Sequence, residues 1–246
     1  MQQVTRTIAM ALLGASALAA QAQTATHLYL LNGSLADEMG GPALVANGGT
    51  LGVNGYTFGL NQGLSLANAL PASVYTVDLQ FSFDALGGWR KIAQFKGDGS
   101  DNGLYAYGDH LQFYPQATSA DSVFTAGQLA RLTLTRDAAG QFSAYINGAP
   151  VLGFNDGGSA DATYSEPAAL GVFFRDDHYT NGYEAGSGVV RYLRVYDQAL
   201  SAGQVAVLSV PAIDPVGVVP EPQAWALMLA GVAALTLARR GNRQPG

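Results

Sequence analysis

The sequence predicts an all-β sandwich, and three observations carry that prediction. Residues 74–83 alternate without a break, with Val77, Leu79, Phe81 and Phe83 on one side and Thr76, Asp78, Gln80 and Ser82 on the other. That is the period-two pattern of a half-buried strand. Asn147-Gly148 stands between two further strand-like runs, and both residue types tolerate the positive φ that a two-residue hairpin turn demands. The chain holds 31 Gly, 12 Tyr and 10 Phe with only 12% charged residues, a composition suited to strands and turns. No alternation of strands with helix-length segments is visible, which argues against a parallel α/β sheet. A barrel of similar length fits the same pattern, and periodicity does not choose between the two.

In chain order, residues 1–22 have the form of a secretory leader. Arg6 supplies the positive start, 8–20 the apolar middle, and Ala20-Gln21-Ala22 an Ala-x-Ala cleavage site that leaves Gln23 as the mature start. The apolar stretch is too short for a permanent membrane helix. The first strand is 27–31. A Gly-rich loop over 32–49 contains Asp37-Glu38, which reads as solvated surface. Short strands follow at 50–60 and 63–66, then the long one at 74–83. Strands at 89–95, 104–107 and 111–114 come next, the last two joined by the Gly108-Asp109 turn. Residues 129–135 and 141–146 alternate, and 151–154 returns after the hairpin. The last strands are 168–174 and 189–196, with Leu193 and Val195 assigned to the core and Arg194 and Tyr196 to the outside. Ser201 can cap one short helix over 202–208. The organisation is thus a leader at 1–22, a sandwich domain at 23–209, a Pro- and Val-rich linker at 210–219 and a tail at 220–246.

The chain contains no Cys, which excludes disulfides, zinc–thiolate sites and a lipoprotein anchor. Between Gln23 and Val219 there are eight Lys and Arg against 17 Asp and Glu, a net charge of −9. An acidic domain repels phosphate backbones, so nucleic acid is excluded as a partner.

The tail carries Pro220-Glu221-Pro222, an uncharged apolar run over 224–238, and then Arg239-Arg240 and Arg243. The two prolines keep the backbone extended. A helix over 224–238 is roughly 22 Å long at ~1.5 Å per residue, short of the ~30 Å hydrocarbon core. The arginines mark its cytoplasmic flank. These features resemble the PEP-CTERM sorting tail of Gram-negative bacteria. The resemblance implies a transmembrane helix at 224–238 that holds an exported precursor in the inner membrane until an exosortase processes it near Pro-Glu-Pro. It implies a mature form at the cell surface or outside the cell, beside exopolysaccharide, that has used the secretion and signal-peptidase machinery. An ordinary anchor that is never cut is the alternative.

A second resemblance covers most of 26–208. LARLTLTRDAAGQFSAYINGAPVLGF at 129–154, YLRVYDQALSAGQVAVL at 192–208 and FKGDGSDNGLYAYGDHLQFY at 95–114 are similar to the hairpin, closing strand and middle strands of laminin G-like, concanavalin A-like jelly rolls. It implies a concanavalin A-like (laminin G-like) jelly-roll sandwich, with carbohydrate binding as the usual non-catalytic role. Many members carry an acidic pair before the closing strand, where this chain has Gly188-Val189-Val190.

Hydrolases of this architecture need two carboxylates flanking the scissile bond. The four Glu of the chain (Glu38, Glu166, Glu184 and Glu221) have no such spacing, there is no Gly-x-Ser-x-Gly or His-Glu-x-x-His, and His27, His110 and His178 are scattered. The expectation is a non-enzymatic protein. For a calcium ion, Asp98 and Asp101 lie in a loop with Ser100, Asn102 and Gly103, and Asp176, Asp177 and Glu184 lie in a second acidic loop beside Arg175. Polar turns use the same residue types. For sugar stacking, Tyr105, Tyr107, Tyr114, Tyr179 and Tyr183 lie near Asp and Asn, while Trp89 reads as packing at the edge of the core. The expected role is an exported surface or matrix protein that binds exopolysaccharide. A purely structural biofilm protein without a ligand is the first alternative, and a glycoside hydrolase-like enzyme the second.

Overall fold

A computed structural model describes residues 23–164, 169–180 and 182–212. The leader with Ala20 and Ala22, Glu166, and the tail with Pro220, Glu221, Pro222, the apolar run 224–238, Arg239 and Arg240 lie outside them. Among the described residues no helix is long and apolar enough to cross a membrane.

Fifteen strands are described: β1 His27–Tyr29, β2 Val45–Asn47, β3 Thr50–Gly52, β4 Gly55–Phe58, β5 Gly63–Leu66, β6 Tyr75–Phe83, β7 Trp89–Gln94, β8 Gly103–Tyr107, β9 His110–Tyr114, β10 Ala117–Thr118, β11 Ala130–Arg136, β12 Gln141–Ile146, β13 Ala149–Asn155, β14 Gly171–Phe173 and β15 Gly188–Tyr196. One helix, α1 Ala202–Ala206, follows. The strands form two antiparallel sheets. The first runs β13-β12-β11-β6-β15-β4-β3, with β1 also on β15, and the second runs β10-β9-β8-β7-β14-β5-β2. The predicted strands are present, except that the run 50–60 is a hairpin of two strands, β3 and β4, turning at 53–54; β2 and β10 are additions, and the other boundaries shift by one to a few residues. Asn147-Gly148 turns the β12–β13 hairpin with φ of 52° and 88°.

The core between the sheets follows from the alternation. Val77 and Leu79 of β6 meet Leu134 and Leu132 of β11 and Val195 and Leu193 of β15 in register, all essentially inaccessible. Aromatic rings fill the rest. Phe58 stacks on Phe174 at 4.6 Å, and Phe95, Phe113, Phe142 and Phe154 pack in sequence at 5.1–5.3 Å. Where β15 enters the sheet, a Cβ on Gly188 would stand 2.0 Å from the Ser82 carbonyl oxygen. Only glycine lets the two backbones approach that closely.

The outer face of the first sheet differs from the expected solvent face. Thr76 and Asp78 are inaccessible, Ser82 and Arg194 nearly so, and Tyr196 is 1% exposed. The expectation that Arg194 and Tyr196 face solvent is therefore corrected. The chain after β15 folds back over this face, and Leu200 and Val205 pack on Tyr145 and Tyr196 as a second apolar cluster. Ser201 and Gln204 form a reciprocal capping box that starts α1. Beneath it, Asp78 accepts from Arg194 Nε at 2.8 Å and from Thr133 Oγ1 at 2.6 Å, with Arg131 Nε 3.9 Å away. Arg131 also donates to the carbonyls of Leu208 and Val205, and Arg194 to that of Ser209. The alternation is real, but polar residues on a covered face need partners, and here the partners are each other.

Asp37 is likewise buried rather than solvated. Burial pushes its carboxyl up, but bonds from His27 and from the Leu28, Met39 and Gly41 amides outweigh that and hold it below the ordinary carboxylate value. Asp37 therefore staples the loop before β2.

Truncating Asp78 to Ala leaves Arg194 and Arg131 buried without a counter-charge. The expected loss is about 3–5 kcal/mol of unfolding free energy, read as a lower urea midpoint at unchanged slope.

Candidate functional site

The outer face of the second sheet is built by β7, β8 and β9. Pairing of Trp89 with Tyr107 and of Lys91 with Tyr105, then of Tyr105 with Gln112 and Tyr107 with His110, puts these side chains on one face. Leu104, Ala106, Leu111 and Phe113 take the alternate positions and enter the core. The loop over 175–187 folds along this face. Its ends are tied to β7: Phe174 N donates to Ile92 O at 3.0 Å, and Lys91 N donates to Glu184 O at 2.8 Å. Gln94 Nε2 donates to Arg175 O at 2.7 Å.

Within the loop, Asp176 and Asp177 do different work. Asp176 Oδ2 accepts from Thr180 Oγ1 and from the Gly182 and Glu184 amides, shaping the turn. Asp177 Oδ1 accepts from the Tyr179 amide at 2.8 Å, and Oδ2 faces the sheet. There it meets the Lys91 ammonium at 2.8 Å, with both side chains inaccessible. Lys91 Nζ also donates to the Tyr105 hydroxyl and, at 3.3 Å, to the Asp101 carbonyl. The Tyr105 hydroxyl donates to Asp101 Oδ1 at 2.8 Å. Burial, with that bond and the charge of Glu184, pushes the Tyr105 hydroxyl far above an ordinary phenol, so it keeps its proton.

Three of the predicted carboxylates meet here. Ligand oxygens of Asp101, Asp177 and Glu184 lie within 4.8 Å of one another. The sequence grouped them as two separate loops; the fold joins one residue of the first to two of the second. Asp176 is not in the cluster, and the side chain of Asp98 is outside the described set. Burial pushes the Glu184 carboxyl up, and Asp101 and Asp176 add to the rise, against the opposing pull of Tyr105 and Lys91. Its Oε2 is buried with no hydrogen-bond partner.

A calcium ion would need these oxygens on its own coordination sphere at ~2.3–2.6 Å. The Lys91 ammonium already sits among them, 2.8 Å from Asp177 and 4.0 Å from Asp101. A charged Lys91 and a divalent cation repel each other at such range, so the residues present do not fit calcium at this position.

The aromatic residues separate as well. Tyr105 is inaccessible and cannot offer a free face, whereas Tyr107 is 45% exposed, Tyr179 69% and Tyr183 88%. Trp89, read as packing at the core edge, lies instead on this outer face and organises it. Its ring stands 4.4 Å from Tyr107, 5.1 Å from Tyr105 and 5.6 Å from Tyr114. A pocket of about 150 Å³ opens among Trp89, Asp101, Tyr105, Tyr114 and Glu184. The common parity of Trp89, Lys91, Tyr105 and Tyr107 was available in the sequence. The approach of Asp177 and Glu184 was not.

Residues 58–206 match the Laminin_G_3 family model, described as the concanavalin A-like lectin/glucanases superfamily. Among solved structures, domain 4 of AbnA, a GH43 extracellular arabinanase from Geobacillus stearothermophilus in complex with arabinotriose, is similar at 16% identity and TM-score 0.53, covering 74% of this chain and 96% of that domain. Trypanosoma rangeli sialidase, in complex with a difluorosialic acid, is similar at 16% identity and TM-score 0.56, covering 74% of this chain and 32% of the sialidase. The binding domain of botulinum neurotoxin serotype D is similar at 13% identity and TM-score 0.50, covering 74% of this chain and 50% of that one. At these identities the likeness is one of fold. No curated protein matches the chain.

Two outcomes follow from Lys91 and Glu184. Addition of a chelator leaves the thermal midpoint unchanged, whereas Lys91→Met, with three carboxylates and no ammonium, is destabilised and regains stability on addition of calcium. Glu184→Gln tests the raised carboxyl. A carboxyl that holds its proton more tightly in the folded state costs stability as pH rises from the unfolded value, ~4.3, through the folded one. Glu184→Gln is therefore more stable than the parent at neutral pH, and the gain disappears below about pH 4, as read from melts across that range.

Proposed function

The chain belongs to the concanavalin A-like lectin/glucanases superfamily, and from that premise we propose that it is a non-enzymatic carbohydrate-binding protein of the cell surface or extracellular matrix. The observation that carries this reading is the aromatic face of the second sheet. Trp89, Tyr107 and Tyr114 present ring surface beside a pocket that contains carboxylate acceptors. Sugars are bound through C–H faces laid on such rings and hydroxyls donated to such carboxylates. The arabinotriose and sialic acid derivative held by the two fold neighbours are consistent with a glycan as the ligand class.

A hydrolytic role is less well supported. Glycosidases separate their two carboxyl groups by ~5–5.5 Å or ~6.5–9.5 Å, with the scissile bond between them. Here the carboxylates of Asp101, Asp177 and Glu184 crowd within 4.8 Å, and Lys91 is bonded to one of them. Asp177 is inaccessible and bonded to Lys91, so it is not free to act on a scissile bond.

The placement at the cell surface rests on the sequence of the two ends. In this reading the leader exports the domain, the apolar run 224–238 holds the precursor in the inner membrane, and an exosortase acts near Pro220-Glu221-Pro222. Exopolysaccharide is then the ligand within reach. Alanine at Pro220, Glu221 and Pro222 leaves the precursor uncut and membrane-bound in cell fractionation, if this sorting operates.

The binding role is tested on a glycan array with extracellular polysaccharides. Tyr107→Ala removes one exposed ring and is expected to weaken binding by roughly 2–13-fold, since a ring contact is worth about 0.5–1.5 kcal/mol, with the melting curve unchanged. No signal on any polysaccharide leaves a purely structural matrix protein, and release of reducing ends from labelled glucans would restore the hydrolase.

A further inference from the structure

We propose that Lys91 and Asp177 join in an intramolecular isopeptide bond, formed by the folded chain itself, that fastens the loop over 175–187 to β7. The bond involves no ligand and is independent of the carbohydrate-binding reading.

The reacting groups already touch. Lys91 Nζ stands 2.8 Å from Asp177 Oδ2, and both side chains are inaccessible. Desolvation penalises the charged forms of an amine and a carboxylate alike, which brings the neutral amine and acid closer in energy to the ion pair. Groups fixed at such range and shielded from water react as though at very high concentration. Asp101, the other carboxylate neighbour of Lys91, lies 4.0 Å from Nζ with a side chain 35% exposed, so Asp177 is the partner that reacts.

The surroundings supply the rest of the chemistry. Asp177 Oδ1 accepts from the Tyr179 amide at 2.8 Å and from the Thr180 amide at 3.3 Å. Two backbone donors on the oxygen that stays form an oxyanion hole for a tetrahedral intermediate. Oδ2, the oxygen that faces Nζ, is the one that leaves. Nζ also donates to the Tyr105 hydroxyl, and that hydroxyl donates to Asp101 Oδ1 at 2.8 Å. The phenol takes a proton from nitrogen as it hands its own to Asp101, a relay that leaves the ring uncharged.

The step balances within the chain. Nζ passes one proton to Asp177 Oδ2, and the lone pair this frees forms the Nζ–Cγ bond. A second proton leaves Nζ through Tyr105 to Asp101. The Cγ–Oδ2 bond then breaks, and Oδ2 departs as water with the first proton and the one returned from Asp101. Nothing is oxidised or reduced. The product ties together residues 86 positions apart in a chain that has no cysteine. It restricts the unfolded chain as a disulfide does.

The test is peptide mapping of the full chain, purified in mild detergent, denatured and digested with trypsin. Acylated Lys91 resists cleavage, so the bond joins residues 91–96 to 176–191 in one branched peptide, lighter than the two separate peptides by one water. Fragmentation is expected to place the branch at Asp177 and not at Asp176. Lys91→Arg and Asp177→Ala lose the branched peptide. The rate is followed during refolding from urea-dissolved inclusion bodies, where the bond has yet to form. Tyr105→Phe forms the branch roughly 100-fold more slowly than the parent, with an unchanged circular dichroism spectrum, so the delay is not misfolding. Linear peptides alone from the folded parent after prolonged incubation overturn the proposal and leave an ion pair. A branch at a different carboxylate overturns the Lys91–Asp177 assignment, and formation at the parent's rate in Tyr105→Phe overturns the relay. Glycan binding is read separately and is decided by neither result.

Discussion

A buried ammonium must be neutralised, and in this chain that requirement shapes one whole face of the sandwich. Lys91 points outward from β7 yet is fully inaccessible. The desolvation of such a group costs several kcal/mol unless a carboxylate and further acceptors surround it. Asp177, Tyr105 and the Asp101 carbonyl supply them. To deliver Asp177, the loop over 175–187 must lie down on the second sheet, and Asp176 shapes the turn that allows it. The same closure carries Glu184 to the edge of the aromatic group around Trp89. The pocket is thus a by-product of satisfying one lysine.

The two outer faces of the sandwich solve related problems to different ends. On the first sheet, Asp78 is shared by Arg194 and Thr133 beneath α1, and the arginines continue to the carbonyls of the chain that covers them. That network ties the covering chain to the sheet and serves stability, although Arg131 Nε stays without a hydrogen-bond partner. On the second sheet the network around Lys91 is left open. Glu184 keeps an unpaired buried oxygen and Trp89 keeps neighbours that reach solvent. Sites that bind are often held at some cost to stability, and an acceptor without a donor is such a cost. Both outer faces carry buried charge, and the functional reading attaches to the second because its aromatic residues Tyr107 and Tyr114 reach solvent.

Particular residues show how much of this was legible. The strand over 74–83 was visible because a sandwich core imposes period two on any strand that lines it, and Asn147-Gly148 because the turn requires two positive φ values. The fate of the opposite side of that strand was not visible. Asp78 and Arg194 look like solvent-facing residues until the chain after β15 folds back over them, a contact between segments more than a hundred residues apart. Trp89 was misplaced for a similar reason. A strand-start tryptophan reads as core edge, whereas the bulge between Lys91 and Ala93 and the register with β8 set it on the outside. Tyr105 shares that face, and the network under the loop buries it.

The sequence by itself determined the all-β character, the order of strands, the hairpin and capping signals, the acidity of the domain and the leader-like and tail-like character of its two ends. All of these depend on residue type and short-range spacing, which a linear chain carries in full. Only the tertiary structure decided that Asp101, Asp177 and Glu184 form one cluster, that Lys91 is their internal cation, and that Trp89 rather than Tyr105 anchors the exposed aromatic face. The physical reason is that charge pairing and ring packing act over a few ångströms in space. Lys91 and Asp177, 2.8 Å apart, are separated by 86 positions in the chain, and nothing in the local sequence of either names the other.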